Sequence, residues 1–360
     1  MNKVFLSRRN YIANLDFFAK TTGLEIMPVL KANAYGHGLA EIASLTKTRY
    51  IVVNSLAEAE IAKQYFHGQI LVLTLPNKIP RKLSKQFEFV VQNDDDIAKF
   101  RDVVESVNIH LAINTGMNRL GVRPKELEEF AKKVLLAPNL HVEGVFSHLF
   151  DADATSEEIS RKQIELFDAS VEKLRELHIN PPLIHLAATA GSLLVAKSRY
   201  ANAARVGLGV YGLNPLSRDH PQYRKFAKLK PVLSLTSRII QINQLEPGDK
   251  VSYNGTFTAK KPMMVGVVAV GYYDGVPREL SNRGSLLVNG HNCPIVGKVC
   301  MNLTTIDISD LDVHIGDEAC VISARTRDPN SLQRMSEDYN LFIYQLPLGV
   351  AAELPREIIA

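Results

Sequence analysis

Eight short apolar runs recur through the first 235 residues, separated by amphipathic stretches, and this rhythm is the tightest constraint on the fold. The runs are LEIMPVLK (24–31), YIVVN (50–54), QILVLTL (69–75), EFVVQ (88–92), NIHLAIN (108–114), LHVEGVFSH (140–148), LIHLAA (183–188) and ANAARV (201–206). Each is rich in Val, Ile or Leu, and most have the length of a strand buried on both faces. Helical spacing fills the gaps: 57–66 behind Ser55, 94–104 with an acidic first turn, 125–134 behind Pro124, and 156–177. Eight strand–helix units in about 230 residues match a (β/α)8 barrel. A doubly wound open sheet has a similar rhythm, so the pattern alone does not close the barrel. After Pro231 the texture changes to short β-like runs (233–242, 263–272, 284–290, 318–323) broken by Gly, Pro, Asn and Asp. The expected organisation is a barrel domain over 1–235 and a mostly β domain over 236–360.

A chain of 360 residues has room for both. Its 42 basic and 38 acidic residues leave a net charge of +4, which gives no reason to expect nucleic acid as a partner. Cys293, Cys300 and Cys320 match no zinc spacing and are odd in number, so no metal site and no disulfide framework is expected. The N-terminal segment MNKVFLSRRN lacks the apolar core of a signal peptide, and no run approaches the roughly 20 apolar residues of a membrane span. A cytoplasmic protein with reduced thiols is the expectation.

The chemistry starts at VLKANAYGHG (29–38). A lysine here ends a buried strand and is followed by small residues, a tyrosine and two glycines. Catalytic groups project from the C-terminal strand ends of a barrel. A lysine leaving the interior there is partly desolvated, which lowers its pKa and frees the amine to attack an aldehyde. The plain alternative is a lysine that snorkels past a turn.

The decapeptide resembles the pyridoxal-phosphate attachment site of alanine racemases, a fold-type III family, and the resemblance continues in order through nearly the full chain. It implies that Lys31 is the Schiff-base lysine and one of two catalytic bases, and that Tyr35 binds the cofactor phosphate. TGMNRLGV (115–122) resembles the next signature and puts Arg119 near the substrate carboxylate. FSHLFDAD (146–153) supplies His148, matching the histidine beside the pyridine ring. In LIHLAATAG (183–191), Thr189 stands where a serine hydroxyl holds the phosphate, a bond threonine can also make. ARVGLGVYG (204–212) resembles the signature whose Gly207 and Leu208 amides meet the phosphate while Arg205 faces the pyridine nitrogen. An arginine keeps its proton, so it donates to that nitrogen without protonating it, and the cofactor withdraws electrons less strongly than with a carboxylate partner.

Racemisation handles protons on both faces of one carbon, so a second acid–base group has to oppose Lys31. VSYNGTF (251–257) resembles the segment whose tyrosine is that base, here Tyr253. The resemblance implies a head-to-tail homodimer in which Tyr253 and Met301 reach the site from the other subunit. Met301 comes from VGKVCMNLTTID (296–307) and Tyr272 from GYYDGVPR (271–278); Tyr344 matches the tyrosine that bonds the phosphate and holds Tyr253. The chain departs from the family at several places. Ala112 stands where a carbamylated lysine is frequent, and Asn114 where an aspartate follows, so an anion such as chloride is the expected substitute beside Arg119. Asn302, Lys298, Ala188 and Glu353 also differ, which bears on substrate preference more than on reaction type. The implied function is interconversion of L- and D-alanine for peptidoglycan. The alternatives are a racemase of serine or another small amino acid, a decarboxylase of the same plan, and a pyridoxal-phosphate carrier without turnover.

Overall fold

The computed structural model describes residues 2–360. All eight apolar runs form strands: β2 (Glu25–Pro28), β3 (Tyr50–Val53), β4 (Gln69–Val72), β5 (Phe87–Val91), β6 (Val107–Ala112), β7 (Leu140–Phe146), β8 (Leu183–Ala187) and β9 (Ala203–Val206). They pair in parallel in the order β2-β9-β8-β7-β6-β5-β4-β3. A parallel bridge between Val29 and Val52 joins the two ends, so the sheet is a nearly closed barrel and not an open doubly wound sheet. Alternate residues point inward. Met27, Val29, Tyr50, Val52, Leu71, Val90, Ala112, Leu183 and Ala203 form one apolar cluster inside the barrel. A second, larger cluster packs the barrel against its helices and continues into the second unit.

The helices begin where the local chemistry lets them. Ser55 and Glu58 form a complete capping box on the helix Leu56–Ala62. Asn93 caps Asp94–Lys99, whose first turn is wholly acidic and so opposes the positive end of the helix dipole. Pro124 opens a 3-10 turn that leads into Leu127–Leu135.

The second sheet contains β10 (Leu233–Leu245), β13 (Met263–Val268), β14 (Ser285–Val288), β15 (His291–Pro294), β16 (Thr304–Asp307) and β17 (Glu318–Ile322), with a small separate hairpin of β11 (Lys250–Val251) and β12 (Phe257–Thr258). It also takes β1 (Lys3–Ser7) from the other end of the chain. β1 lies between β10, antiparallel, and β18 (Arg356–Ile359), parallel. A division at residue 235 therefore assigns β1 to the wrong unit. KVFLS alternates, with Val4 and Leu6 fully buried, and a half-buried strand of that kind needs a sheet neighbour that the barrel does not offer. Leu6→Ala should cost about 2–5 kcal/mol in equilibrium denaturation. A loss below measurement error would show that β1 is not part of the core.

Candidate active site

Lys31 lies at the seam where the barrel closes. The Leu30 amide donates to the Val52 carbonyl at 2.7 Å, and the chain then leaves β2 into the turn Lys31–Tyr35. Ala32, Asn33, Ala34 and Tyr35 all have φ of 53–54°, a left-handed helical turn built without glycine. Such backbone costs roughly 1–2 kcal/mol per residue, so its surroundings have to hold it. Glu58 does so from one side: one carboxylate oxygen accepts from the Ala32 amide at 2.7 Å, and the other from the Asn54 amide at 2.7 Å. The C-terminal segment does so from the other. Arg356 donates to the Gly36 carbonyl at 2.9 Å and to the carbonyls of Ala351, Ala352 and Leu354. Gly36, at φ 79°, packs so closely on the Pro347 carbonyl that a Cβ would overlap it.

The turn opens onto a cavity of about 750 Å³ at the C-terminal end of the barrel strands. Lys31, Tyr35, Arg119, His148, Thr189, Arg205, Gly207, Leu208 and Tyr344 all line it, as do the departures Ala112, Asn114 and Ala188. Burial lowers the Lys31 pKa, and the Arg119 and Arg205 cations lower it further, against a smaller opposing pull from Glu58. The same causes, burial first and then Arg205, Arg119 and Lys31, push His148 down to about 3, so this ring is neutral at physiological pH.

Arg205 is buried and uses four hydrogen bonds to fix its guanidinium. One terminal nitrogen donates to His185 Nδ1 at 2.7 Å and to the His185 carbonyl at 2.9 Å. The other donates to the Ser147 carbonyl at 2.7 Å and to His148 Nδ1 at 3.2 Å. Its Nε–H has no partner among the described residues, which leaves one donor for a ligand.

Two more donors stand beside it. The Gly207 and Leu208 amides head a short turn without a side-chain cap, and neither has a hydrogen-bond acceptor among the described residues. A Cβ on Gly207 would overlap the Tyr35 hydroxyl, so only glycine lets that phenol approach. Thr189 Oγ1 accepts from the Gly209 amide at 3.1 Å and keeps its own proton to donate. Burial raises both nearby phenols, Tyr344 to about 12, so each stays a hydroxyl donor. The hydroxyls and free amides converge on one corner of the cavity and suit a phosphate.

Tyr253 and Met301 are not in this cavity. They are 69% and 56% exposed, on a face of the second sheet. Ser252 Oγ donates to the Lys298 carbonyl at 2.7 Å, which sets the Tyr253 turn beside the loop leading to Met301. The Tyr272 and Tyr273 amides bond the carbonyls of Cys300 and Met301, so Tyr272 lies on the same face. Asn302 bonds Asp274 at 3.3 Å, and Glu353 accepts from the Tyr273 hydroxyl. Asn114 accepts the amides of Gly116 and Asn118 at 3.1 and 3.0 Å and so shapes the loop that carries Arg119. Arg119 itself has no carboxylate or hydrogen-bond partner among the described residues.

Glu58, Arg356 and His185 are parts of the site that motif reading passed over. The Ser55–Glu58 spacing signals a capping box but not its second task at Ala32. Removing Glu58 leaves the Ala32 and Asn54 amides without acceptors, at about 1–3 kcal/mol. Glu58→Ala should lower stability by that amount in denaturant titration; unchanged stability would separate Glu58 from the Lys31 turn.

The chain is similar to known proteins along nearly its whole length. The family described as alanine racemase, N-terminal domain, matches residues 6–215, and alanine racemase, C-terminal domain, matches 232–358. An alanine racemase of Borreliella burgdorferi is 31% identical over 377 aligned positions, covering 99% of both chains. One from Halothermothrix orenii is 30% identical, covering 93% of this chain and 90% of its own. The crystal structure of the Bacillus anthracis alanine racemase with bound L-Ala-P superposes with a TM-score of 0.86 at 29% identity, over 100% of this chain and 95% of that one. That of Streptomyces lavendulae shares the fold at a TM-score of 0.90 and 22% identity, covering 100% and 97%. On these matches, which span both of its structural units, the chain belongs to the alanine racemase family.

Proposed function

We propose that this protein interconverts L- and D-alanine with pyridoxal phosphate held on Lys31. The observation that carries the reading is the donor set in the large cavity. A desolvated lysine amine, an arginine Nε–H without a protein partner, and a corner of free amides and hydroxyls match an aldehyde, a pyridine nitrogen and a phosphate respectively. When bound, the cofactor would supply an electrophilic carbon for the substrate amine and an electron-withdrawing ring that acidifies the Cα–H.

The chain's own residues supply the rest. Lys31 Nζ accepts or returns a proton at Cα on one face, an exchange its lowered pKa assists. Arg119, charged and unpaired in the cavity wall, attracts the substrate carboxylate, and the free backbone amide of Met301 adds a second donor. Arg205 keeps its proton and so presents a donor to the ring nitrogen. His148 stays neutral at 3.2 Å from Arg205 and fills the adjacent wall. Tyr253 is the base for the opposite face. Its exposure, with that of Met301 and Tyr272, supports a homodimer in which each subunit lends this face to the other's cavity. An anion beside Arg119 fits the absence of any carboxylate partner there. D-Alanine for peptidoglycan, made in the cytoplasm, is the role consistent with this activity. No helix among the described residues is long and apolar enough to cross a membrane.

Two experiments test this. Wash-in of deuterium at Cα of L- and D-alanine should proceed without release of carbon dioxide. Tyr253→Phe should slow exchange from the L enantiomer more than from the D, and equal losses would remove Tyr253 from the role. Lys31→Ala and Tyr253→Phe, each inactive alone, should regain up to about a quarter of wild-type activity when mixed and allowed to exchange subunits. No recovery from exchanged dimers would contradict donation in trans.

A further inference from the structure

A TIM-type barrel is ordinarily filled by layers of apolar side chains. In this one, four inward positions carry polar groups instead: Glu88 on β5, His110 on β6, His185 on β8 and Arg205 on β9, each no more than 5% exposed. They touch in series. Arg205 donates to His185 Nδ1 at 2.7 Å, His185 Nε2 meets His110 Nδ1 at 2.7 Å, and His110 Nε2 meets a Glu88 oxygen at 2.7 Å. The other Glu88 oxygen accepts from Asn108 at 3.3 Å. Phe146 stacks on the His185 ring, 5.0 Å away and 9° from parallel, and also lies under the Arg205 guanidinium at 4.7 Å.

The donor rules fix every proton in this chain. Arginine only donates, so His185 Nδ1 bears a lone pair and its proton is on Nε2. That proton points at His110 Nδ1, which must therefore accept. His110 then carries its single proton on Nε2, toward Glu88, and the carboxylate accepts. Both rings are neutral, and their dipoles run the same way, from cation to anion. Burial, with the Arg205 cation behind it, also pushes His185 well below its ordinary pKa. The groups facing Glu88 are His110, Asn108 and Tyr50, whose hydroxyl bonds Glu143 at 3.3 Å. No described carboxylate pairs directly with Arg205, and the Arg119 cation repels it.

We propose that Glu88 is the counter-ion of Arg205, coupled to it through two neutral Nε2-protonated imidazoles, and is thereby a positioning residue for the site. A buried cation with no compensating charge is costly, and an unpaired one relaxes away from its place. Through this axis a carboxylate two residues deeper on its strand than the cavity-lining Val90 holds the guanidinium whose remaining N–H faces the ligand.

The test is direct. In full-length protein labelled with 15N-histidine, long-range 1H–15N spectra near pH 7.5 should show His110 and His185 both neutral with the proton on Nε2. An imidazolium, or an Nδ1 proton, on either ring overturns the proposal, and this arm does not depend on any cofactor. The second arm rests on the proposed function. Glu88→Gln keeps an acceptor oxygen of the same shape but removes the charge. Pyridoxal phosphate titrated into the cofactor-stripped chain should bind at least about tenfold more weakly than to wild type, since a buried charge loses its partner. Glu143→Gln, which removes a carboxylate from the barrel rim, should bind as wild type does. Unchanged affinity in Glu88→Gln, or an equal loss in Glu143→Gln, overturns the counter-ion role. Failure of wild type to bind the cofactor would instead count against the function itself.

Discussion

An amine kept partly out of water between two arginines is the constraint that the rest of the site serves. Neither Arg119 nor Arg205 has a direct carboxylate partner, so both positive charges act on Lys31 with little local cancellation. The fold tolerates this because Arg205 is enclosed by acceptors and a ring face, and because Arg119 stays at the solvent edge. Placing Lys31 at the barrel seam has a further effect. The seam is where β2 and β3 touch through a single bridge, so the chain is free to break from strand geometry immediately after Val29. The left-handed turn that follows is expensive, and the groups that hold it come from the strand-end capping box on one side and the far end of the chain on the other.

That second source explains why the two units are interleaved. Arg356 is in β18 and bonds the Gly36 carbonyl, while the segment before it presses Pro347 against Gly36 and places Tyr344 in the cavity wall. β18 in turn pairs with β1, the strand that leads into the first barrel helix. The first and last strands of the chain thus form a clasp, and the Lys31 turn sits under it. Loss of the segment from Phe342 through β18 would remove part of the cavity wall as well as the Arg356 donor that holds the Gly36 carbonyl.

The barrel was legible because its strands are short, apolar and evenly spaced, which is a local property of each run. The second unit was legible only in part. β10, β13, β14 and β17 show as β-like runs, but the membership of β1 is set by a partner more than 220 residues away, and alternation in KVFLS does not say which sheet it joins. The same division holds within the site. Lys31, Tyr35, Arg205 and Thr189 stand at strand ends inside recognisable motifs, and the cavity brings them together. Glu88, His110 and His185 sit inside runs read as uniformly buried strands. A polar residue interrupting such a run was the available signal. Its meaning depends on three strands meeting across the barrel, which no single run encodes. Arg356 carries no local signal at all, since what it holds is a carbonyl 320 residues earlier.

The exposed tyrosine face and the buried polar axis answer the same chemical need from opposite directions. A reaction that treats both faces of one carbon alike needs two bases of different origin, but it also needs the plane between them held still. Lys31 and the axis ending at Arg205 both belong to the barrel, whose strands pair in one continuous parallel sheet. Tyr253 lies on an exposed surface of the second unit, outside that cavity. The holding groups are therefore complete within one chain, while the proposed second base stands outside its cavity. On the proposed homodimer reading, the single chain suffices to bind the cofactor, and association is what completes the catalyst.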